Sequence, residues 1–257
     1  MTIMRLSTFL SLSVGLLHSS GQAAPADTNR LAPRVPSGVI LEHCSVPGTV
    51  ALTFDDGPFS YTGHVLDLLD QYDAKATFFI NGENWSHGID DPSTPWPGIL
   101  RRMVASGHQI ASHTWSHEDL TAASWDQRRY QMQQLESSLR NVIGKVPTYM
   151  RPPYANCGGD CLPDIESLGY HVVNFDVDTK DYLHNTPGTI QAAIDTFSWA
   201  VNSGGPQSSF LVLSHDVHQT TAEILTPAML DIIQQNGYRA VTVGECLDDP
   251  ESNWYRY

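Results

Sequence analysis

Short, nearly continuous apolar stretches recur along the chain from about residue 50, each followed by a longer segment with apolar residues at three- and four-residue steps. The first pattern predicts strands buried on both faces, and the second predicts helices with one buried side. Strands are predicted at residues 50–54, 76–80, 109–112, 149–151, 171–176, 210–214 and 240–243. Helices are predicted at 63–72, 98–106, 125–143, 163–168, 189–202 and 222–236. The longest carries Tyr130, Met132, Leu135, Leu139, Val142 and Ile143, largely along one stripe. Gly107, Gly144, Gly169 and Gly237 each follow a predicted helix and precede a predicted strand, where a C-terminal cap belongs. This alternation means parallel strands with helical crossovers, so the chain reads as α/β, either a barrel or a doubly wound open sheet. No GxGxxG follows the first strand and no GxxxxGK[ST] occurs, so a nucleotide cradle has no support.

The start of the chain does not fit this alternation. Arg5 precedes an apolar run over residues 6–17, and small residues follow to Ala24, with a cleavage point after Ala23. Residues 1–23 therefore read as a signal peptide, because the run is too short to cross ~30 Å of hydrocarbon. Residues 24–40 read as a flexible lead-in and 41–257 as one domain. No second apolar stretch long enough to span a membrane occurs. The expected location is extracellular, free or at the cell wall, and the chain is expected to be a monomer.

Composition narrows the partners. The chain has 257 residues, 41% of them hydrophobic, enough to fill a core. Lys plus Arg total 14 against 28 Asp plus Glu, a formal charge of −14. Loss of residues 1–23 removes one Arg and no acid, leaving 13 − 28 = −15. Such a chain repels phosphate backbones, and nucleic acid is excluded as a partner.

Secretion also bears on Cys44, Cys157, Cys161 and Cys246. An even count in an oxidising compartment favours disulfides, and four cysteines allow three pairings. The Gly158-Gly159-Asp160 loop could let Cys157 meet Cys161, leaving Cys44 for Cys246. A zinc site is the competing reading, but the spacings do not form two CxxC knuckles. Asn84-Trp85-Ser86 is the only N-glycosylation sequon.

Candidate chemistry lies where the predicted strands end, which in a parallel barrel is one rim. Thr53-Phe54-Asp55-Asp56-Gly57-Pro58 offers adjacent carboxylates, although Asp-Gly-Pro is also ordinary turn chemistry. Ser112-His113-Thr114-Trp115-Ser116-His117 offers two histidines four residues apart, which on a helical turn would share a face and could share a metal. Arg151-Pro152-Pro153-Tyr154 is a stiff corner carrying a guanidinium. Residues 176–181 carry Asp176 and Asp178 in period two, and residues 213–218 centre on His215. Each segment alone has a bland structural explanation. Together, acidic and imidazole groups on one rim suit hydrolysis by water that a metal ion activates.

The five segments, in this order, resemble the motifs of the polysaccharide deacetylases (carbohydrate esterase family 4), and among them the fungal chitin deacetylases. The resemblance covers about residues 50–243, and the first two motifs are the most specific. It implies a distorted (β/α) barrel, with about seven parallel strands here. It further implies that Asp56, His113 and His117 hold one divalent ion, usually zinc, with cobalt as the substitute. Asp55 would be the general base, held by Arg151; His215 would be the general acid, oriented by Asp178. The Tyr154 N–H would support the oxyanion, and Leu213 would line the acetyl pocket. Trp115 and Tyr154 would face the substrate, with Trp85 and Trp96 as further stacking candidates, and the connections after Asn81 and Tyr182 would set subsites. The implied substrate is N-acetylglucosamine in chitin or its oligosaccharides. O-acetyl xylan and peptidoglycan are the alternatives within the family. The chain departs from the family pattern at Ala155, where many relatives have Gly, and at Phe175 and Tyr182, where Trp is common. Outside the family, a two-histidine-one-carboxylate iron oxygenase and a catalytically silent carbohydrate-binding protein are the rivals. The oxygenase expects a jelly roll, and the silent protein leaves Asp55 and His215 unexplained.

Overall fold

A computed structural model of the chain describes residues 35–257. Residues 1–23, expected to be a signal peptide, and most of the expected lead-in lie outside the described residues. The elements run β1 (Ile40–Leu41), β2 (Thr49–Asp55), α1 (Thr62–Gln71), β3 (Thr77–Ile80), α2 (Trp96–Ala105), β4 (Gln109–Ser112), α3 (Trp125–Ile143), β5 (Val146–Pro147) and β6 (Tyr149–Met150). They continue α4 (Cys161–Ser167), β7 (His171–Val173), β8 (Val177–Asp178), α5 (Gln191–Ser203), β9 (Phe210–His215), α6 (Thr226–Gln235), β10 (Arg239–Val241), α7 (Val243–Cys246) and β11 (Tyr255–Arg256). All seven predicted strands and six predicted helices are present. The capping box of Ser124 with Gln127 and the left-handed Gly144 set α3 at both of its predicted ends. Some boundaries differ: the strand predicted at 171–176 ends at Val173, the helix predicted from 222 is regular α only from Thr226, and Thr242 forms a capping box with Glu245, so Val243 opens α7 instead of ending a strand.

Nine strand segments form one sheet in the order β1-β7-β6-β4-β3-β2-β9-β8, with β10 alongside β2, and every pair in it is parallel. The two beyond the seven predicted, β1 and β8, have two residues each and are too short to carry a period. Laid flat, six strand spacings of ~4.8 Å would hold β7 and β8 about 29 Å apart, yet the chain joining them through residues 174–176 spans at most ~14 Å. The sheet therefore curls until its edges meet, a distorted (β/α) barrel. Asp176 closes the seam: its N–H donates to the Leu211 carbonyl (3.0 Å), its Oδ1 accepts from the Leu211 N–H (2.7 Å), and its Oδ2 pairs with His43 (3.0 Å).

β2 is buried along its whole length and supplies the centre of the main core, with Phe54 stacked on Phe78. Helices α1, α2, α5 and α6 contribute Leu66, Leu69, Leu100, Phe197 and Leu230 around it. A smaller cluster of Leu120, Met132, Ile165 and Tyr170 encloses the Cys157–Cys161 disulfide. The second disulfide, Cys44–Cys246, ties two points 202 residues apart. Both cross-links match the pairing reached by elimination, and no free thiol remains for a zinc knuckle. Among the described residues, no helix is long and apolar enough to cross a membrane.

Candidate metal centre and active site

Parallel register brings the strand ends level. Asp55 is the Cα partner of both Phe79 and His215, and Ser112, just before His113, is the partner of Met150, just before Arg151. Thus four of the five segments meet at one cavity of about 510 Å³, and the fourth, residues 176–181, reaches it through its neighbours Phe175 and Tyr182. The cavity is lined by Asp55, Asp56, Trp85, His113, His117, Arg151, Tyr154, Ala155, Phe175, Tyr182, Leu213, His215 and His218. A larger cavity of about 760 Å³, lined by Thr148, His171, Asp249 and Tyr255 among others, brings together no comparable set of groups.

Asp56, His113 and His117 present one ligand atom each, all within 4.8 Å of one another. His113 Nε2 and His117 Nε2 stand 3.5 and 3.3 Å from Asp56 Oδ1. The spacing of four does not act through a helix, as the sequence suggested. Residues 113–117 are a loop, and left-handed backbone at Thr114 (φ 71°) and His117 (φ 58°) folds one ring towards the other, to 5.0 Å between centroids. Asp56 is also left-handed (φ 76°), as are Tyr154 (φ 59°) and Ala155 (φ 54°). Such conformations cost of order 1–3 kcal/mol each and cluster at functional sites.

The donor set fits a divalent cation. Asp56 Oδ1 is buried without a hydrogen-bond partner, a costly state for a carboxylate oxygen unless a cation meets it. His113 Nδ1 donates to the Arg151 carbonyl (2.7 Å), which leaves the Nε2 lone pair facing Asp56. Burial lowers the His113 pKa to about 3, so the imidazole is neutral, as a ligand must be. Asn81 supports this loop by donating to the carbonyls of His113 and, at 3.1 Å, Thr114.

Next to this set, Arg151 is 1% exposed. It donates to Asp55 Oδ1 (2.8 Å), Thr53 Oγ1 (2.6 Å), the Asn174 carbonyl (2.7 Å) and the Val173 carbonyl (3.2 Å). Its guanidinium also lies 4.2 Å from the centre of the Phe79 ring. Burial raises the Asp55 pKa above the usual carboxylate value, while the Arg151 charge and hydrogen bond pull it down. Arg151 occupies Oδ1, so Oδ2 is the oxygen left to take a proton.

Across the cavity His215 Nδ1 pairs with Asp181 Oδ1 at 2.8 Å. Burial disfavours the imidazolium, but Asp181 outweighs it and holds the His215 pKa up at about 9. Asp178, expected in this position, is elsewhere. The register pairs it with Leu213, two residues short of His215, and its oxygens accept from the Lys180 N–H (2.9 Å) and the Tyr182 hydroxyl (3.0 Å). A left-handed Lys180 (φ 56°) then turns the chain and delivers Asp181. Tyr182 packs edge-on to His215, 5.4 Å between centroids.

Leu213 and Tyr154 line the cavity as expected, and Tyr154 is 70% exposed beside His117. Trp115 does not line it. Its ring packs onto Gly82, where no Cβ could fit, and against the main core. Trp96 likewise packs against the core at the start of α2. Trp85 is the tryptophan at the cavity, between Phe59 (5.5 Å) and His218 (5.8 Å).

Comparison with known proteins agrees with this arrangement. The polysaccharide deacetylase family model matches residues 43–173. A chitin deacetylase of Colletotrichum lindemuthianum is 43% identical over 245 residues, covering 94% of this chain and 98% of that protein. A chitin deacetylase of Pestalotiopsis sp is 44% identical over 245 residues, covering 95% and 78%. The solved structure of the Colletotrichum lindemuthianum enzyme superposes with a TM-score of 0.83 at 45% identity, over 86% of this chain and 97% of that one. Motif order, strand-end geometry and similarity along nearly the full length agree: the chain belongs to the polysaccharide deacetylase family.

Proposed function

We propose that the chain hydrolyses the acetamido group of N-acetylglucosamine residues in chitin or chitooligosaccharides, releasing acetate and leaving a free amine. The observation that carries this is the Asp56/His113/His117 set sharing one cavity with a buried Asp55–Arg151 pair and a His215–Asp181 pair, in a chain 43–44% identical to two fungal chitin deacetylases. Asp56, His113 and His117 would hold one divalent ion, zinc by the mixed nitrogen and oxygen donors, with cobalt as the substitute. When bound, such an ion polarises a carbonyl and makes water more acidic.

The protein's own groups divide the remaining work. Asp55 Oδ2 takes a proton from the water that attacks the acetyl carbonyl, and Arg151 fixes the carboxylate during the transfer. The Tyr154 N–H donates to the carbonyl oxygen as negative charge develops there. Asp181 holds Nδ1–H of His215, so Nε2–H faces the cavity and gives its proton to the amide nitrogen as the C–N bond breaks. Leu213 packs against the acetyl methyl group. Trp85 and Tyr154 offer faces to the flanking sugars.

Residues 1–23 would direct secretion, and 41–257 form the catalytic domain, acting as a monomer outside the cell or at its wall; the two disulfides suit that setting. Purified protein supplied with zinc should release acetate from N-acetylglucosamine oligomers faster than from acetylated xylan or peptidoglycan. Release from xylan alone, or from none of the three with zinc or cobalt present, overturns this assignment.

A further inference from the structure

Asp216 follows His215 in the chain and has no part in the proton transfers above. It is fully buried, where a carboxylate is costly unless it is hydrogen-bonded or paired. Its Oδ2 accepts from the Thr62 hydroxyl, and Thr62 Oγ1 in turn accepts from the Phe59 N–H at 2.8 Å. Its Oδ1 has no hydrogen-bond partner. Both oxygens lie against Gly57, where an added Cβ would come within 2.6 and 2.7 Å of them.

Gly57 is the residue after Asp56, so this contact bears directly on the turn that carries a metal ligand. The other side of that turn is fixed as well. The Gly57 carbonyl accepts from the Asn81 N–H (3.1 Å), and the Asn81 side chain holds the carbonyls of His113 and Thr114. The turn is thus gripped between Asp216 and Asn81, and Asn81 also grips the loop that carries both histidines.

We propose that Asp216 is a positioning residue for the metal centre: through Gly57 and Thr62 it fixes the direction of Asp56, and so couples the strand bearing His215 to the metal-ligand turn. This rests on the reading that Asp56, His113 and His117 bind a cation. The predicted signature is a loss of metal affinity that exceeds any loss of fold stability. It also explains why position 57 is glycine, since the carboxylate occupies the space of a side chain.

The test is zinc affinity, measured by competition with a chromophoric chelator, alongside thermal melting of the metal-free protein. Wild type should bind zinc and His113→Ala should not; failure of that control overturns the metal-site reading and this inference with it. Given the control, Asp216→Ala should bind zinc about 10–100-fold more weakly, whereas Asp216→Asn, which keeps the shape over Gly57 and the acceptor for Thr62, should stay within about 3-fold of wild type. Wild-type affinity in Asp216→Ala overturns the proposal. Gly57→Ala should weaken zinc binding in the wild-type background but add no further loss to Asp216→Ala, because the clash is gone. Equal damage in both backgrounds also overturns it. Should Asp216→Ala not fold, Thr62→Val decides: weakened zinc binding supports the coupling, and unchanged binding removes it.

Discussion

One carboxylate holds His215 at two points: Asp181 Oδ1 lies 2.8 Å from the ring Nδ1, and Asp181 Oδ2 accepts from the His215 backbone N–H at 2.7 Å. Asp181 is fully buried and also accepts from Thr221 Oγ1 (2.8 Å), so neither its position nor the imidazole plane is free to drift. With the His215 pKa raised to about 9, the imidazolium proposed as the acid is present at neutral pH and is lost as pH rises through that value. Asp181→Asn removes the charge that raises it, so the alkaline limb of the pH–rate profile should move to lower pH, with kcat reduced at neutrality. A limb that stays in place in this variant would show that another group titrates there.

Asp55→Asn retains the shape of the proposed base and removes its ability to accept a proton. Acetate release should fall by ~10²–10⁴, the usual contribution of a positioned acid–base group, while zinc content stays near stoichiometric. Thermal stability should fall as well, because Arg151 remains buried without its ion pair. Elemental analysis and an acetate assay on one preparation check both parts; near-normal turnover would remove Asp55 from the chemistry.

His113→Ala should abolish both bound zinc and activity, and chelation of the wild-type protein should give a reversible version of the same loss. The fold should survive chelation, since the core around β2 does not depend on the cation. Circular dichroism before and after chelation, with zinc or cobalt added back, checks this; an unfolded apoprotein would contradict it.

The two disulfides should differ in their contribution to stability. Cys44–Cys246 closes a loop of 202 residues and Cys157–Cys161 a loop of four, which by chain entropy corresponds to about 5 and about 2 kcal/mol. Paired Ser substitutions should therefore lower Tm more at Cys44/Cys246, as differential scanning calorimetry would show. Equal losses would mean that local packing around Cys157 and Cys161 matters more than loop length.

Most of the site was legible because a parallel sheet writes it plainly: an apolar run, then polar residues at its C-terminal end, all on one rim. Asp55, Asp56, His113, Arg151 and His215 stand out this way and line the cavity, as does Leu213, which the family resemblance pointed to. What was missed depends on backbone turns and long-range contacts that leave no period. The family resemblance was carried onto Asp178, and β8, with only two residues, leaves no period to correct it; the left-handed Lys180 that brings in Asp181 was invisible. The two histidines suggested a helical turn, but the loop reaches the same proximity through Thr114 and His117. Trp115 looked like a sugar platform, and only the bare face of Gly82, distant in sequence, sends it inward. Asp216 could be read only once the chain had folded against Gly57.

The seam at residues 174–176 is held by Asp176 on Leu211 and by the Asn174 N–H on the Leu41 carbonyl, and the same stretch supplies the Asn174 carbonyl that, with that of Val173, receives two of the Arg151 hydrogen bonds. Parting the barrel there would take from the guanidinium the acceptors of its Nε and Nη2, leaving Thr53 and Asp55 alone to orient it. Closure of the sheet and anchorage of the Arg151–Asp55 pair thus draw on the same short stretch of chain, so damage at the seam would be felt at the cavity.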